Sequence, residues 1–318
     1  MNPAAMAAAP AKYKDQATAL RDLVSDKKDV LPPRDKTTGM MSIAVLSGKG
    51  GVGKSNVSVN LALALADKGL DIAILDADLG LANIDILFGV TPKFNLGHVM
   101  RGEKELSEVV LKVGERLSII PGGVGLRDLA EMDEQSQSWM INRMSSLEEG
   151  TDLLIIDVSA GIHKNVLSFA MSADMVVLIT TPEPTAIRDS YGVLKSLCQA
   201  TNGAIRIGLL VNMASDVKEA LLVAKRIISA GEQFLNFKTP YLGCVLWDLA
   251  IRESVKKRKP LLLNKAESVS SQYFRALAQK IYELSEEEQL SEKTERRDTF
   301  LLRLLRQGGN GKAADVRD

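Results

Sequence analysis

The sequence predicts a doubly wound α/β domain: a mostly parallel sheet with helices on both faces. Three observations predict it. From Ser42 to about Leu284, short apolar runs alternate with helical stretches. Most runs are continuously apolar, as strands covered on both faces must be. A glycine-rich turn joins the first run to the first helix, at the end of the sheet where such folds bind ligands.

The elements follow in order. Residues 1–40 form an N-terminal extension with Pro10, Pro32, Pro33 and many charges. A short helix fits Tyr13–Val24, with Ala17, Leu20 and Val24 on one face. Strands are expected at 42–47, 71–75, 117–120, 152–156, 175–180, 205–211 and 241–246. Helices are expected at 54–68, about 133–148, 162–172, 186–201, 216–235 and 268–284. After Leu284 the pattern breaks. Ser285–Asp298 reads as a charged linker in which Glu286, Glu287 and Glu288 form a solvated face, and a short helix follows at about 299–306. The chain thus divides into an extension (1–40), one large domain (41–284) and a tail (285–318).

Composition narrows the function. Forty basic residues balance forty acidic ones, so no global field suggests nucleic-acid binding, and no basic patch is evident. Cys198 and Cys244 belong to no C-x-x-C pair, which argues against disulfides, metal sites and iron–sulfur chemistry. No stretch reaches 18 apolar residues and no signal peptide opens the chain. The expectation is a cytoplasmic protein, or one attached to a membrane from that side.

Gly48-Lys49-Gly50-Gly51-Val52-Gly53-Lys54-Ser55 fits the phosphate-binding pattern G-x-x-x-x-G-K-[ST]. In such a loop the backbone N–H groups and the following helix N-terminus, opened here by Asn56, face the phosphates. Lys54 is expected to reach the β/γ-phosphates of a nucleotide and the Ser55 hydroxyl to hold Mg²⁺. At the end of the second strand, Asp76-Ala77-Asp78 supplies paired carboxylates, suited to a metal-bound water and an attacking water. The run Leu153–Ile156 leads into Asp157-Val158-Ser159-Ala160-Gly161, and an acid ending a buried strand should face a cation. His163 reads as a surface helix residue rather than a base.

The second loop lysine, Lys49, gives the pattern K-G-G-V-G-K-S, which resembles the deviant Walker A ATPases, among them MinD, ParA and the nitrogenase iron protein. Thr181–Ser190 is similar to the T-x-P-E-x-[ST]-x-x-R-D-[SA] segment of MinD-like proteins, and Asp157–Gly161 to their D-x-x-A-G segment. The resemblance covers about 42–284 and implies an ATP-dependent homodimer in which Lys49 reaches the partner's phosphates. It further implies that Asp76 and Asp157 support the metal, that Asp78 polarises water and that the Gly161 N–H senses the γ-phosphate. Asn212 would meet the adenine. Trp247 stands where relatives carry a proline-containing adenine loop that this chain lacks.

Both tails resemble the flagellar FlhG (FleN, YlxH) group. Asp15-Gln16-Ala17-Thr18-Ala19-Leu20-Arg21 matches its D-Q-A-x-x-L-R segment, which implies docking on the GTPase FlhF through Asp15, Gln16, Ala17, Leu20 and Arg21. At the other end, Phe300, Leu301, Leu304 and Leu305 fall within an arc of about 140°, opposite Arg303 and Arg306. This resembles a membrane-targeting helix, implying reversible attachment to an anionic membrane. The group further implies flagellar switch proteins or a flagellar transcription regulator as partners. A MinD-type division-site ATPase and a ParA-like DNA-binding partition ATPase are the alternatives.

Overall fold

The computed structural model describes residues 40–78, 83–123, 147, 150–291, 300 and 302–305. The expected helix at 133–148 (apart from Leu147), the Asp15–Arg21 segment, Leu301 and Arg306 lie outside them.

Eight strands form one sheet in the order β3-β4-β2-β5-β1-β6-β7-β8. They are β1 (Met41–Ser47), β2 (Ile72–Ala77), β3 (Leu111–Gly114), β4 (Leu117–Pro121), β5 (Leu153–Val158), β6 (Met175–Thr180), β7 (Ile207–Ala214) and β8 (Tyr241–Leu246). Every pairing is parallel except β3 with β4. The edge strand β3 is the one the sequence reading lacked. It is four residues long, and its exposed Lys112 and Gly114 break the apolar run.

Strand β1 lies between β5 and β6, and all seven of its residues are buried. Helix α1 (Lys54–Ala66) leaves its C-terminal end and is buried from Val57 to Leu65. It is apolar nearly all round because α10 (Val269–Ser291) covers the side turned away from the sheet. A single buried amide braces this layer. Asn60 Oδ1 accepts the Leu262 N–H at 3.1 Å, tying α9 (Leu261–Asn264) to α1. Helices α5 (Lys164–Ser172), α6 (Pro184–Ala200) and α7 (Val217–Leu235) follow β5, β6 and β7. Short helices α2 (Ile84–Phe88), α3 (Leu96–Met100), α4 (Leu106–Val109) and α8 (Leu249–Lys256) complete the set. They escape a periodicity reading because four to eight residues make barely one or two turns.

Two expectations need correction. The last long helix does not stop at Leu284 but continues to Ser291. Residues 285–291 contain no Gly or Pro, and Glu and Gln are good helix formers. Nor is a basic patch absent. Arg252, Lys256, Lys257, Arg258 and Lys259 are all exposed along α8 and the turn after it, a local basic strip that a chain-wide balance conceals.

Candidate functional site

The ends of β1, β2 and β5 bring the expected residues together. Asp76 and Asp157 are cross-strand neighbours, and Asp157 is also paired with Val45 of β1. Two carboxylates therefore stand side by side beneath the loop 48–55, almost fully buried. Burial, the larger effect, and the nearby Asp76 charge push the Asp157 carboxyl up to about 7, against the hydroxyls of Ser55 and Ser58 and the Lys54 ammonium. Burial also lowers Lys54 from the usual lysine range, opposed by Asp157 and Asp78.

The loop is built for close approach. Gly53 has φ 88°, and a Cβ there would fall 2.5 Å from Asn212 Nδ2. A Cβ on Gly48 would lie 2.3 Å from the Asp189 carbonyl carbon in the second turn of α6. A side chain at either position would force the loop off its supports.

Several expected residues hold the loop in a closed set of internal bonds. The Asn212 amide donates to the Val52 carbonyl at 2.7 Å, so one of its two hydrogens braces the loop. The Gly161 N–H donates to the Ser47 carbonyl at 2.9 Å; sensing a phosphate would require that bond to open. Asp76 accepts the N–H groups of Asp78, Asn83 and Ile84 at 3.2, 3.0 and 3.2 Å, which orders the start of α2. Burial still raises its carboxyl above the ordinary value, against those three bonds. Asp78 accepts the Ser159 hydroxyl at 2.8 Å, linking the acidic turn to the segment after β5. Trp247 is 62% exposed, and its backbone N–H donates to the Ala214 carbonyl at 2.8 Å. His163 is an exposed residue at the start of α5.

The donor set fits Mg²⁺. The Ser55 hydroxyl lies close enough to the Asp157 carboxyl to favour its charged form, so a hydroxyl and a hard oxygen anion stand side by side. Two adjacent buried acids also leave negative charge for a cation to offset. Among the described residues no cluster of three or more His, Cys, Asp or Glu side chains could hold a metal. Mg²⁺ needs no such cage, since substrate phosphates and water fill most of its shell.

Three side chains that hold expected site residues were not legible in that role. Lys49 Nζ is 2.5 Å from Glu183 Oε2 and 3.1 Å from Thr185 Oγ1; both partners sit in the quoted Thr181–Ser190 segment but 134 and 136 positions away. Ser58 Oγ, fully buried, donates to Asp157 Oδ1 at 2.9 Å. Its signal was spacing: it lies one turn beyond Lys54 and Ser55 on the same helix.

The C-terminal segment departs from expectation. Phe300, Leu304 and Leu305 are buried against the domain rather than presented outward, and Phe300 stacks on Phe169 of α5 with centroids 6.3 Å apart. Arg303 does not point away. Its Nε donates to the Ser172 carbonyl at 2.7 Å, and its terminal nitrogens reach Asp174 Oδ1 at 2.6 Å and Ser42 Oγ at 3.1 Å. Asp174 in turn accepts the N–H and hydroxyl of Ser42 at 2.7 and 2.6 Å. A polar socket of Ser42, Ser172 and Asp174 thus holds the arginine while the aliphatic face covers α5. No helix among the described residues is long and apolar enough to cross a membrane.

Comparison with known proteins agrees with this geometry. A ParA model, described as a NUBPL iron-transfer P-loop NTPase, matches residues 40–114 and 135–282. The antiactivator FleN of Pseudomonas aeruginosa is 38% identical over 239 residues, covering 75% of this chain and 85% of that protein. The flagellum site-determining protein YlxH of Helicobacter pylori is 34% identical over 220 residues, 69% of this chain and 74% of its own. Among solved structures, the septum site-determining protein MinD of Pyrococcus horikoshii, complexed with Mg-ADP, superposes with a TM-score of 0.63 at 27% identity, covering 77% of this chain and 97% of that one. The chain belongs to the ParA/MinD family of P-loop NTPases, on the branch that contains FleN and YlxH.

Proposed function

We propose that this protein is an ATP-driven dimerisation and membrane switch that limits the number and placement of bacterial flagella. The observation that carries the reading is a loop with two lysines, Lys49 and Lys54, on a chain 38% identical to FleN. Lys54 faces the phosphates of its own ATP, and Lys49 those of a partner, where two facing triphosphates need extra cations. Asp78 aligns the attacking water, and Ser55 and Asp157 hold the Mg²⁺. That ion neutralises charge building on the phosphates.

The docked C-terminal helix supplies the membrane half of the cycle. While Phe300, Leu304 and Leu305 are buried, the protein stays off the bilayer. Release in the ATP dimer exposes two such helices at once, and avidity converts a weak anchor into a firm one. The segment Asp15–Arg21 is the docking point for FlhF. A peptide of residues 1–35 should raise the GTPase rate of that partner, and replacing Gln16 and Arg21 with Ala should remove the effect.

The direct test is genetic. A strain lacking its own copy should regain the normal number of flagella with this chain and not with Lys54→Ala. Unchanged flagellar counts accompanied by minicells would favour a division-site role instead.

A further inference from the structure

Helix α8 and the turn after it place five cations in eight residues: Arg252, Lys256, Lys257, Arg258 and Lys259. All are exposed, and none has an ion-pair or side-chain hydrogen-bond partner among the described residues. Glu253, which feels the charge of Lys257, and Asp248 are both engaged elsewhere. Glu253 is held by Lys265 at 2.8 Å, while Asp248 accepts the Ala250 N–H at 2.7 Å and the Ser270 hydroxyl at 2.6 Å.

The strip is rigid and amphiphilic. The Arg258 and Lys259 N–H groups bond back to Val255 and Ser254 at 3.0 and 3.1 Å. Arg258, at φ 50°, lies so close to Gly89 that a Cβ there would come within 3.1 Å of its carbonyl. Between and beside the cations, Trp247, Leu249, Val255 and Leu263 are 62%, 51%, 36% and 47% exposed. Leu249, Arg252, Val255 and Lys256 share an arc of about 120° on α8, opposite the buried Ala250 and Ser254.

We propose that this strip is a second lipid-contact surface, binding anionic headgroups through Arg252 and Lys256–Lys259 with Trp247, Leu249 and Val255 set into the interface. The proposal rests on the membrane reading of the C-terminal helix and adds what that helix lacks. A segment this short binds weakly, and stable attachment takes two signals, of which a polybasic patch is one. In the docked state the helix buries its apolar face, so it cannot make first contact; the strip can. Cations interleaved with aliphatic side chains and a tryptophan suit a headgroup layer. A single-strand nucleic-acid groove stacks successive bases on several aromatics, and this strip offers one.

Vesicle sedimentation of the full chain with Mg·ATP tests it. Phosphatidylcholine vesicles are compared with vesicles that also contain phosphatidylglycerol. The variant Lys256→Gln/Lys257→Gln/Arg258→Gln/Lys259→Gln should bind the anionic vesicles at least about tenfold more weakly and match the parent on the neutral ones. High salt on the unmodified chain should reproduce the loss without any substitution. Equal binding of parent and variant to anionic vesicles overturns the proposal, as does parent binding indifferent to phosphatidylglycerol. A duplex-DNA gel shift shown by the parent and lost in the variant would reassign the strip to nucleic acid. A chain lacking 299–318 that binds as firmly as the intact one would instead sink the helix reading and leave the strip standing.

Discussion

Glu183 holds Lys49 within its own protomer, 2.5 Å from carboxylate to ammonium. The lysine expected to serve a partner's phosphates is thus parked in a local ion pair. Both side chains are well exposed, at 41% and 63%. Exposed pairs contribute roughly 0–1 kcal/mol, so a triphosphate across an interface can easily take the lysine over. Glu183→Gln should strengthen the ATP-dependent dimer by up to about fivefold, whereas Lys49→Ala should abolish it while retaining some ATP affinity. Sedimentation velocity across a protein-concentration series distinguishes them; a dimer of unchanged strength in Glu183→Gln removes the parking role.

Asp78, in the acidic turn, accepts a hydrogen bond from Ser159 in the segment leading to Gly161. Asp78→Ala should leave ATP binding within a few-fold of the parent and slow hydrolysis on the order of a hundredfold, since an attacking water out of place costs about that much. Single-turnover phosphate release, read beside a nucleotide-binding titration, checks both halves.

The buried Asp157 makes stability depend on pH. Its folded pKa of about 7 exceeds its ordinary value, so the folded chain holds a proton that the unfolded one gives up. Its contribution is fully present below about pH 4. It declines as pH rises and is gone once the pH has passed through 7. Without Mg²⁺ and nucleotide, Asp157→Asn should therefore raise the melting temperature at pH 8 and flatten its pH dependence. Thermal melts between pH 5 and 8 would refute this if both proteins fell in parallel.

Ser58 donates to Asp157 Oδ1 from a fully buried position. Its other acceptor, the Lys54 carbonyl, is farther away at 3.2 Å and uncharged, so the carboxylate is the preferred partner. Ser58→Ala should weaken the gain in ATP affinity that Mg²⁺ brings, by roughly threefold to tenfold, while affinity without the metal stays the same. Fluorescent-nucleotide titrations with and without Mg²⁺ decide it.

Arg303 fixes the docked tail through Ser172, Asp174 and Ser42. Arg303→Ala should leave Asp174 with Ser42 alone and free the helix. Its side chain is about a quarter exposed, so the cost is closer to 1–2 kcal/mol than to the 3–5 of a fully buried pair. The variant should bind anionic vesicles without ATP, and sedimentation with ADP alone would show it; a variant that stays in solution denies that docking restrains the helix.

How much of this was legible in the sequence depended on distance along the chain. The loop 48–55, the turn 76–78 and the segment 157–161 are each contiguous, so their residue types and spacing declared a phosphate site. The sheet followed because its buried strands are apolar throughout. What escaped was long-range or averaged. The partners of Lys49, Asp157 and Arg303 lie 99 to 261 positions away, and nothing local marks them. The cation strip at 252–259 vanished into a net charge of zero. The tail's apolar stripe was visible, but a stripe does not say whether it covers lipid or its own domain.

Strand β1 carries the phosphate loop at one end and Ser42, a wall of the arginine socket, at the other. A wholly buried seven-residue strand clamped by neighbours on both sides is a poor piston, because sliding it would break two ladders at once. In the proposed switch, news of what occupies the loop would therefore travel around the outside. Helix α5 is placed for this: Gly161 lies just before its first turn, and Phe169 and Ser172, which grip the tail, lie in its last. The centre of the sheet can remain still while one surface helix carries the message, so substitutions that loosen α5 should uncouple nucleotide from tail without disturbing either one alone.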